Sequence, residues 1–418
     1  MSQSEIKDFV RVKDSKFILS DNPYYFAGIN MWYACYLGST DEGRARLINE
    51  LDTLKNLGIT NLRILGASEE SDLIASLKSA IQPSPGVYNE TLLEGLDFAM
   101  AEIGKRNMHA VIYLNNFWQW SGGMAQYVNW VTGDKIPDPD TDNDWEAFIS
   151  FSARFYTLPR AVSLYRNYIE YIINRTNKFT KIQYRNDPAI MAWELANEPR
   201  PGASNGSGIS NMDSYVKWVD ETAAFIHSID SNHLVTTGME GTHGCLENAE
   251  YFLRIHQSRH IDYINAHVWP KNWGWFNPNN IEGTYHASEK NAINYIKNHF
   301  GYALTLKKPI TIEEFGIDRD NGNFLPGTPC TARDRYFKRI LTFVSDNARN
   351  GIPVYGTNIW AWGGYGIPHP VNEVTGIAEA FIGDQLGEPQ GLNSIFITDS
   401  STLKIISIHA KKMSMLPE

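Results

Sequence analysis

Short apolar runs alternate with stretches of helical periodicity along most of this chain. One run ends at Asn30, after a small hairpin over residues 8–30 with an Asp-Asn-Pro turn. Others cover residues 59–65, HAVIYLN up to Asn115, the start of AIMAWELANEPRP (189–201), and residues 233–238, 262–268, 308–316 and 353–360. Between them, helical spacing marks Glu42–Leu57, Thr91–Arg106, Ala161–Asn177, Ser214–Ile229, Ala249–Gln257, Glu289–Leu306 and Ala332–Ala348. Leu47, Leu51 and Leu54 carry that spacing in the first helix, which stops at Gly58, a residue suited to a C-cap. Met31–Gly38 reads as an aromatic loop.

Eight strands separated by single helices predict a parallel sheet, and eight such units favour a closed (β/α)8 TIM barrel over an open doubly wound sheet. No repeat, low-complexity tract or linker divides the sequence, so residues 1–418 read as one domain. The longest connection, 117–160, exceeds ordinary loops and is expected to be a cleft wall or a helical insertion.

A barrel of this kind carries its chemistry at the C-terminal ends of its strands. Asn30, Arg63, Asn115, Asn116, Asn197, Glu198, His267, Trp269, Glu314 and Trp360 all fall there. In KPITIEEFG, period-two alternation puts Ile310, Ile312 and Glu314 on one face and Thr311 and Glu313 on the other, so Glu314 is expected to point with the core. Glu198 and Glu314, on the ends of different strands of one sheet, are what acid and nucleophile work on an acetal requires. Arg63, on a buried strand, needs anionic partners, and Glu194 and Glu314 are at hand: it keeps Glu314 ionised by lowering its pKa, pairs structurally with Glu194, or both. His267 follows an apolar run and is either a hydrogen-bonding partner of substrate or Glu314, or a satisfied core histidine. Trp269, Trp273, Trp275, Trp360 and Trp362 gather at two strand ends, as platforms for sugar rings would.

Composition narrows the partners. The 418 residues are 43% hydrophobic and 20% charged, enough for a large core, and the net charge of −10 argues against an electrostatic grip on nucleic acid or anionic membrane. Cys35, Cys245 and Cys330 are widely spaced, with no CxxC, and form no metal set with His243. DPDTDNDWE (138–146) lacks the central Gly and terminal Glu of a calcium loop and reads as a solvated loop. No nucleotide-binding glycine motif occurs, so no cofactor or metal is expected. The charged N-terminus carries no apolar core, and no window approaches the ~18 apolar residues of a membrane span. The expectation is a soluble monomer, cytoplasmic as the chain stands, and extracellular or periplasmic if a leader has been removed.

WELANEPR, IEEFG, the Arg63 strand, HVWP and NNFWQWSGGMAQYVNW together resemble glycoside hydrolase family 5 of clan A, in its β-mannan-active branch of β-mannanases and β-mannosidases. The motifs occur in family order from residue 8 to past 370, and NNFWQWSGG, which holds Asn116 and Trp118, points to mannan rather than cellulose. The resemblance implies Glu198 as acid/base, Glu314 as nucleophile, Asn197 at the sugar 2-hydroxyl, Arg63 orienting the nucleophile, His267 as its neighbour and Trp360 as the aromatic floor. Trp269 stands where many members have Tyr, so a hydroxyl contact to the nucleophile is absent or replaced by an indole N–H. Retaining hydrolysis of β-1,4-mannosidic bonds follows, with carboxyls ~5–5.5 Å apart. Whether cleavage is exo, with 117–160, 269–287 and 361–395 walling off one end of the cleft, or endo stays open. A sugar-binding barrel without turnover is the rival, and retention of both carboxylates speaks against it.

Overall fold

The computed structural model describes residues 6–204, 206–369 and 378–417. Eight parallel strands form one sheet: β1 (Phe26–Asn30), β2 (Asn61–Leu65), β3 (His109–Tyr113), β4 (Ile190–Glu194), β5 (Leu234–Thr236), β6 (Ile264–Val268), β7 (Ile310–Phe315) and β8 (Val354–Ile359). Their spatial order, β5-β4-β3-β2-β1-β8-β7-β6, pairs chain neighbours, with the last strand β8 closing onto the first, β1. The seam between β5 and β6 is bridged by the Asp262 amide on the Val235 carbonyl (2.9 Å) and by Thr236 Oγ1 on the Tyr263 carbonyl (2.9 Å). This is the expected (β/α)8 barrel.

The surrounding helices are α1 (Asp41–Leu57), α2 (Glu90–Lys105), α3 (Pro159–Ile173), α4 (Ser207–Ile229), α5 (Ala249–His256), α6 (Ile281–Leu306), α7 (Thr331–Arg349) and α8 (Ser400–Ser414). Thr40 caps α1 by accepting the Gly43 amide, and Gly58 ends it in the left-handed conformation that glycine adopts without strain. Two helices start earlier than periodicity predicts. α6 reaches back to Ile281 because Asn280 caps it and Tyr285 and Ser288 are buried, so packing overrides the weak helix formers of its first turns. α4 likewise begins at Ser207.

The hairpin is a three-stranded antiparallel ribbon (Arg11–Lys13, Lys16–Leu19, Asn22–Pro23). Its turns fall at Asp14–Ser15 and Ser20–Asp21, where both residues have positive φ, and not at Asp-Asn-Pro. Val10 and Phe17 pack onto Phe26, Met191, Leu234, Tyr263 and Tyr355 at the N-terminal mouth of the barrel. Burying Phe17 contributes about 2–3 kcal/mol and shuts that mouth, leaving the C-terminal end as the way in. The loop after β1 contains a short helix, Ala34–Gly38. Residues 117–160 are a helical insertion, with helices Gly123–Thr132, Pro139–Asp142 and Trp145–Ala153.

In β7 the uninterrupted alternation expected from sequence fails. Thr311 and Glu313 face the barrel interior, where Thr311 Oγ1 donates to Glu313 Oε1 (3.0 Å), while Ile310 and Ile312 join the core beneath the helices. Regular pleating would turn Glu314 outward with them. A bulge intervenes: Ile312 pairs with Ala266 but Glu314 with the next residue, His267. The extra residue resets the alternation and turns Glu314 inward as well, a use of bulges common beside active sites.

Candidate active site

Arg63 organises the floor. It is fully buried in β2, with its guanidinium 4.6 Å from the Tyr113 ring centroid. Nε and Nη2 donate to the two oxygens of Glu194 (2.9 and 2.5 Å), Nη1 donates to Glu314 Oε1 and to Asn30 Oδ1 (3.1 Å), and Nη2 also donates to Asn197 Oδ1 (2.8 Å). Both pairings of Arg63 form: one fork grips Glu194 while the other arm holds Glu314. Glu313, 4.0 Å from Arg63 Nε, takes bonds from Tyr263, Asn265 and Thr311. Burial, then the Glu194 charge, pushes its pKa up to about 8, so it is neutral near pH 7 and adds no third anion.

Glu198 lies past the end of β4 with φ +51°, a strained backbone for a side-chain-bearing residue. Its amide donates to the Gly238 carbonyl (2.8 Å). Gly238 has φ +76°, and a Cβ there would sit 2.0 Å from the Ala196 carbonyl oxygen, so only glycine lets the two loops close up. Asn197 is pinned from three directions, by Arg63, by the Asn115 carbonyl on its amide (2.9 Å), and by Asn116 Oδ1 on its Nδ2 (3.1 Å). Asn116 in turn donates to Ser121 Oγ (2.9 Å).

The two carboxyls converge. Oxygens of Glu198 and Glu314 and a ring nitrogen of His267 all lie within 4.8 Å of one another. His267 Nδ1 is 2.7 Å from Glu198 Oε1 and 3.4 Å from Glu314 Oε2, so its closer partner is Glu198 rather than the expected Glu314. Burial, aided by the Arg63 charge, pulls His267 down to about 3, so the imidazole is neutral. The Trp118 indole donates to Glu198 Oε2 (2.6 Å). The Trp269 indole also acts on Glu198, lowering its pKa, so here an indole N–H serves that carboxyl.

Burial raises the pKa of Glu198 against the lowering effects of Arg200, Trp118, Arg63 and Trp269. Burial also raises Glu314 well above the usual carboxylate range; Arg63 opposes this, and the Glu198 and Glu194 charges add to it. Arg63 does pull Glu314 down, as expected, but burial and the neighbouring anions outweigh it, so the net shift is upward. Two acids this close titrate as a pair that holds one proton between them. His267, Glu198 and Glu314 each present a ligand atom a metal could use, but Arg63, Trp118 and Trp269 already surround the carboxyls with donors and positive charge. That donor set suits a hydrogen-bonded acid pair, and a cation would have to displace it.

Above the pair opens a cavity of about 430 Å³, within the range of small-ligand sites. Trp118, Asn197, Glu198, Trp269, Glu314 and Trp360 line it. Arg63, Asn116 and His267 do not; fully buried, they act through the residues they hold. Of the five clustered tryptophans, Trp273 lines the cavity, stacked on His243, whereas Trp275 packs on Trp273 and Tyr295, and Trp362 is fully buried. Sequence reasoning missed Arg200 and Glu240, a paired wall with the guanidinium 4.8 Å from the Trp118 ring (Nε–Oε2 2.6 Å, Nη2–Oε1 2.8 Å). Arg200 ends the WELANEPR motif, which was the available signal. The acidic run 138–146 is more than a solvated loop: Asp138 and Asp144 cap helices, and Asp140 accepts from Gln119 (2.8 Å) on the cavity wall. Residues 269–287 contribute Asn272 and Trp273, and 361–395 contribute Gln385–Glu388; residues 370–377 of that segment lie outside the described residues.

A family model described as GH family 5 beta-mannosidase-like matches residues 7–418. The crystal structure of a glycoside hydrolase family 5 mannosidase from Rhizomucor miehei superposes with TM-score 0.89, at 32% identity over 99% of both chains. Mannan endo-1,4-beta-mannosidase 4 of Solanum lycopersicum is 30% identical over 86% of this chain and 84% of its own. An endo-1,4-beta-mannanase structure from R. miehei shares the fold, with TM-score 0.70 and 23% identity over 97% of this chain and 99% of its own. No helix among the described residues is long and apolar enough to cross a membrane. With the match spanning nearly its whole length, the chain belongs to glycoside hydrolase family 5, among its beta-mannosidase-like members, and is a glycoside hydrolase.

Proposed function

We propose that the protein is a retaining, exo-acting β-mannosidase that removes single mannose units from the ends of β-1,4-linked manno-oligosaccharides. The observation that carries the exo reading is the meeting of two walls at one end of the cavity. Gly387, in the loop after β8, approaches so closely that a Cβ there would lie 3.3 Å from Asp140 Oδ1 and 3.6 Å from Gln119 Nε2 of the insertion after β3. The base of that loop stands beside Trp360: a Cβ on Gly383 would meet Ala361, and one on Gly316 would meet the Trp360 carbonyl and Asn393. On this reading a sugar resting on Trp360 abuts that wall, and a longer chain extends only the other way. The R. miehei neighbour, called a mannosidase, supports the same reading.

The mechanism follows from the acid pair. Arg63 bonds Glu314 directly, so the single negative charge of the pair is best seated there and the proton rests on Glu198. Glu314 attacks the anomeric carbon while Glu198 gives its proton to the departing oxygen, forming a glycosyl ester on Glu314. Glu198, now a carboxylate, takes a proton from water, which attacks the same carbon and releases mannose with retained configuration. Oxygens of the two carboxyls within 4.8 Å of each other support retention over inversion, whose carboxyls stand ~6.5–9.5 Å apart to seat a water. Asn197, held by Arg63 and Asn116, takes the sugar 2-hydroxyl in this reading, the role the family resemblance implies.

Product analysis on mannohexaose is the test. Mannose as the sole early product is expected; mixed oligomers at the same conversion would instead make it an endo-mannanase, the activity named for the tomato relative. Proton NMR of the first-formed product reads the mechanism, with β-mannose expected and α-mannose excluding retention.

A further inference from the structure

The wall that closes the cavity belongs to the segment 384–394, an irregular loop that carries Gln385–Glu388 into the site. Its two ends are tied together by one carboxylate. Asp384, fully buried, accepts the amides of Gly391 (2.9 Å), Asn393 (2.7 Å) and Ser394 (3.1 Å) and the Ser394 hydroxyl (2.5 Å). The loop's carbonyls are held from outside by two more buried charges. Arg319 donates to the carbonyls of Gly391 (3.3 Å) and Ser394 (3.2 Å), and Arg333 to those of Ser394 (3.0 Å) and Leu392. Both are fixed in turn, Arg319 by the two oxygens of Asp399 and Arg333 by the Ile317 carbonyl (3.1 Å). Arg319 lies in the loop after β7 and Arg333 in α7, so the wall is fastened to the same βα unit that presents Glu314. None of the three charged groups lines the cavity.

We propose that Asp384, with Arg319 and Arg333, is the positioning device that sets where along a mannan chain this enzyme cuts. The inference rests on the exo reading above. A buried carboxylate with four donors holds its loop only while it can accept all of them. Released, the loop moves off Asp140 and Gln119, the end of the cavity opens, and a chain can lie across the acid pair on both sides. The pair itself, fixed by Arg63, Trp118 and His267, keeps its geometry.

The test is Asp384→Asn in the full chain. The amide keeps the shape but turns one acceptor into a donor: with its oxygen kept toward Gly391 and Ser394, its NH2 meets the Asn393 amide, and flipped, it meets the other three donors. Early products from mannohexaose and kcat/KM for p-nitrophenyl β-mannoside, which needs no extended cleft, are measured side by side. The expected result is a rise of about tenfold in the ratio of oligomers to mannose, with the aryl mannoside changed less than about threefold. An unchanged ratio overturns the proposal. So does a parallel fall on both substrates at an unchanged ratio, because that is what a merely structural role would give. If Asp384→Asn does not fold, Ser394→Ala, which removes one donor, is expected to raise the ratio less, and no rise refutes the device. A wild-type enzyme that already yields mixed oligomers defeats the exo reading, whereas a wild type that yields mannose and a variant identical to it defeats only the device.

Discussion

Arg63 and the Arg319–Arg333 pair are all fully buried guanidinium groups, yet they face different partners. Arg63 donates to side chains, Asn30, Glu314, and both Glu194 and Asn197, drawn from the ends of three strands. Arg319 and Arg333 donate mostly to backbone carbonyls of loops. The first arrangement fixes the charge on reacting groups; the second fixes the shape of a wall. Chemistry in this molecule rests on strand ends of the barrel, and reach rests on irregular chain held by buried ions.

The largest expected effect lies on the chemical side. Glu314→Ala removes the atom that bonds to sugar and should lower kcat on manno-oligosaccharides on the order of 10⁴-fold or more, with the fold retained by circular dichroism. Residual turnover of a few per cent would take the nucleophile's role from Glu314.

Arg63→Met and Arg319→Met then break the comparison open. Each strands buried carboxylates and should cost about 3–5 kcal/mol of stability in denaturant unfolding. Their kinetics should part: Arg63→Met is expected to lose about 10²–10³-fold in kcat on p-nitrophenyl β-mannoside, and Arg319→Met only a few-fold. Equal kinetic losses would mean that the two centres do the same job.

A smaller effect tests the tuning of the pair. The Trp118 indole donates to Glu198, which favours the charged form, so Trp118→Phe should raise the pKa of Glu198 further. Catalysis needs Glu198 protonated at the first step, and loss of that proton ends activity as pH rises. The alkaline limb of kcat/KM should therefore move upward in the variant. A limb that stays in place, or moves down, would separate Glu198 from it.

What was legible in the sequence divides along the same line. The strands, the helices and the two carboxylates could be read because periodicity and strand-end placement are local. The direction of Glu314 could not, since it depends on a bulge against β6 that breaks the alternation of β7. Trp362 and Trp275 looked like sugar platforms by clustering alone, and only packing shows Trp362 inside the core and Trp275 half-buried against Trp273 and Tyr295. The wall's anchors, residues 319, 333, 384 and 399, share no spacing or motif. Nothing short of the folded chain brings them together.

The smallest expected effect concerns a residue that joins the two regimes. Glu69, buried in the loop after β2, accepts the Gly123 amide on Oε2 (2.9 Å), and its own amide donates to the Ser121 carbonyl (2.8 Å). It thereby holds the loop that presents Asn116 and Trp118, as Asp384 holds the opposite wall. Burial raises its pKa from 4.5 to about 8. A carboxyl raised on folding binds its proton more tightly in the native state, so its contribution is full below about pH 4.5 and is lost as pH rises through about 8. Glu69→Gln, neutral at every pH, removes that dependence while keeping an oxygen to accept from Gly123. The Tm of the variant relative to wild type should therefore be higher at about pH 8.5 than at about pH 5, by a few degrees at most. Because Glu313 and the catalytic pair titrate alike in both proteins, the difference between variant and wild type isolates Glu69. An offset that is the same at both pH values would show that Glu69 is already ionised in the native state, paired more strongly with the loop than its single backbone donor implies.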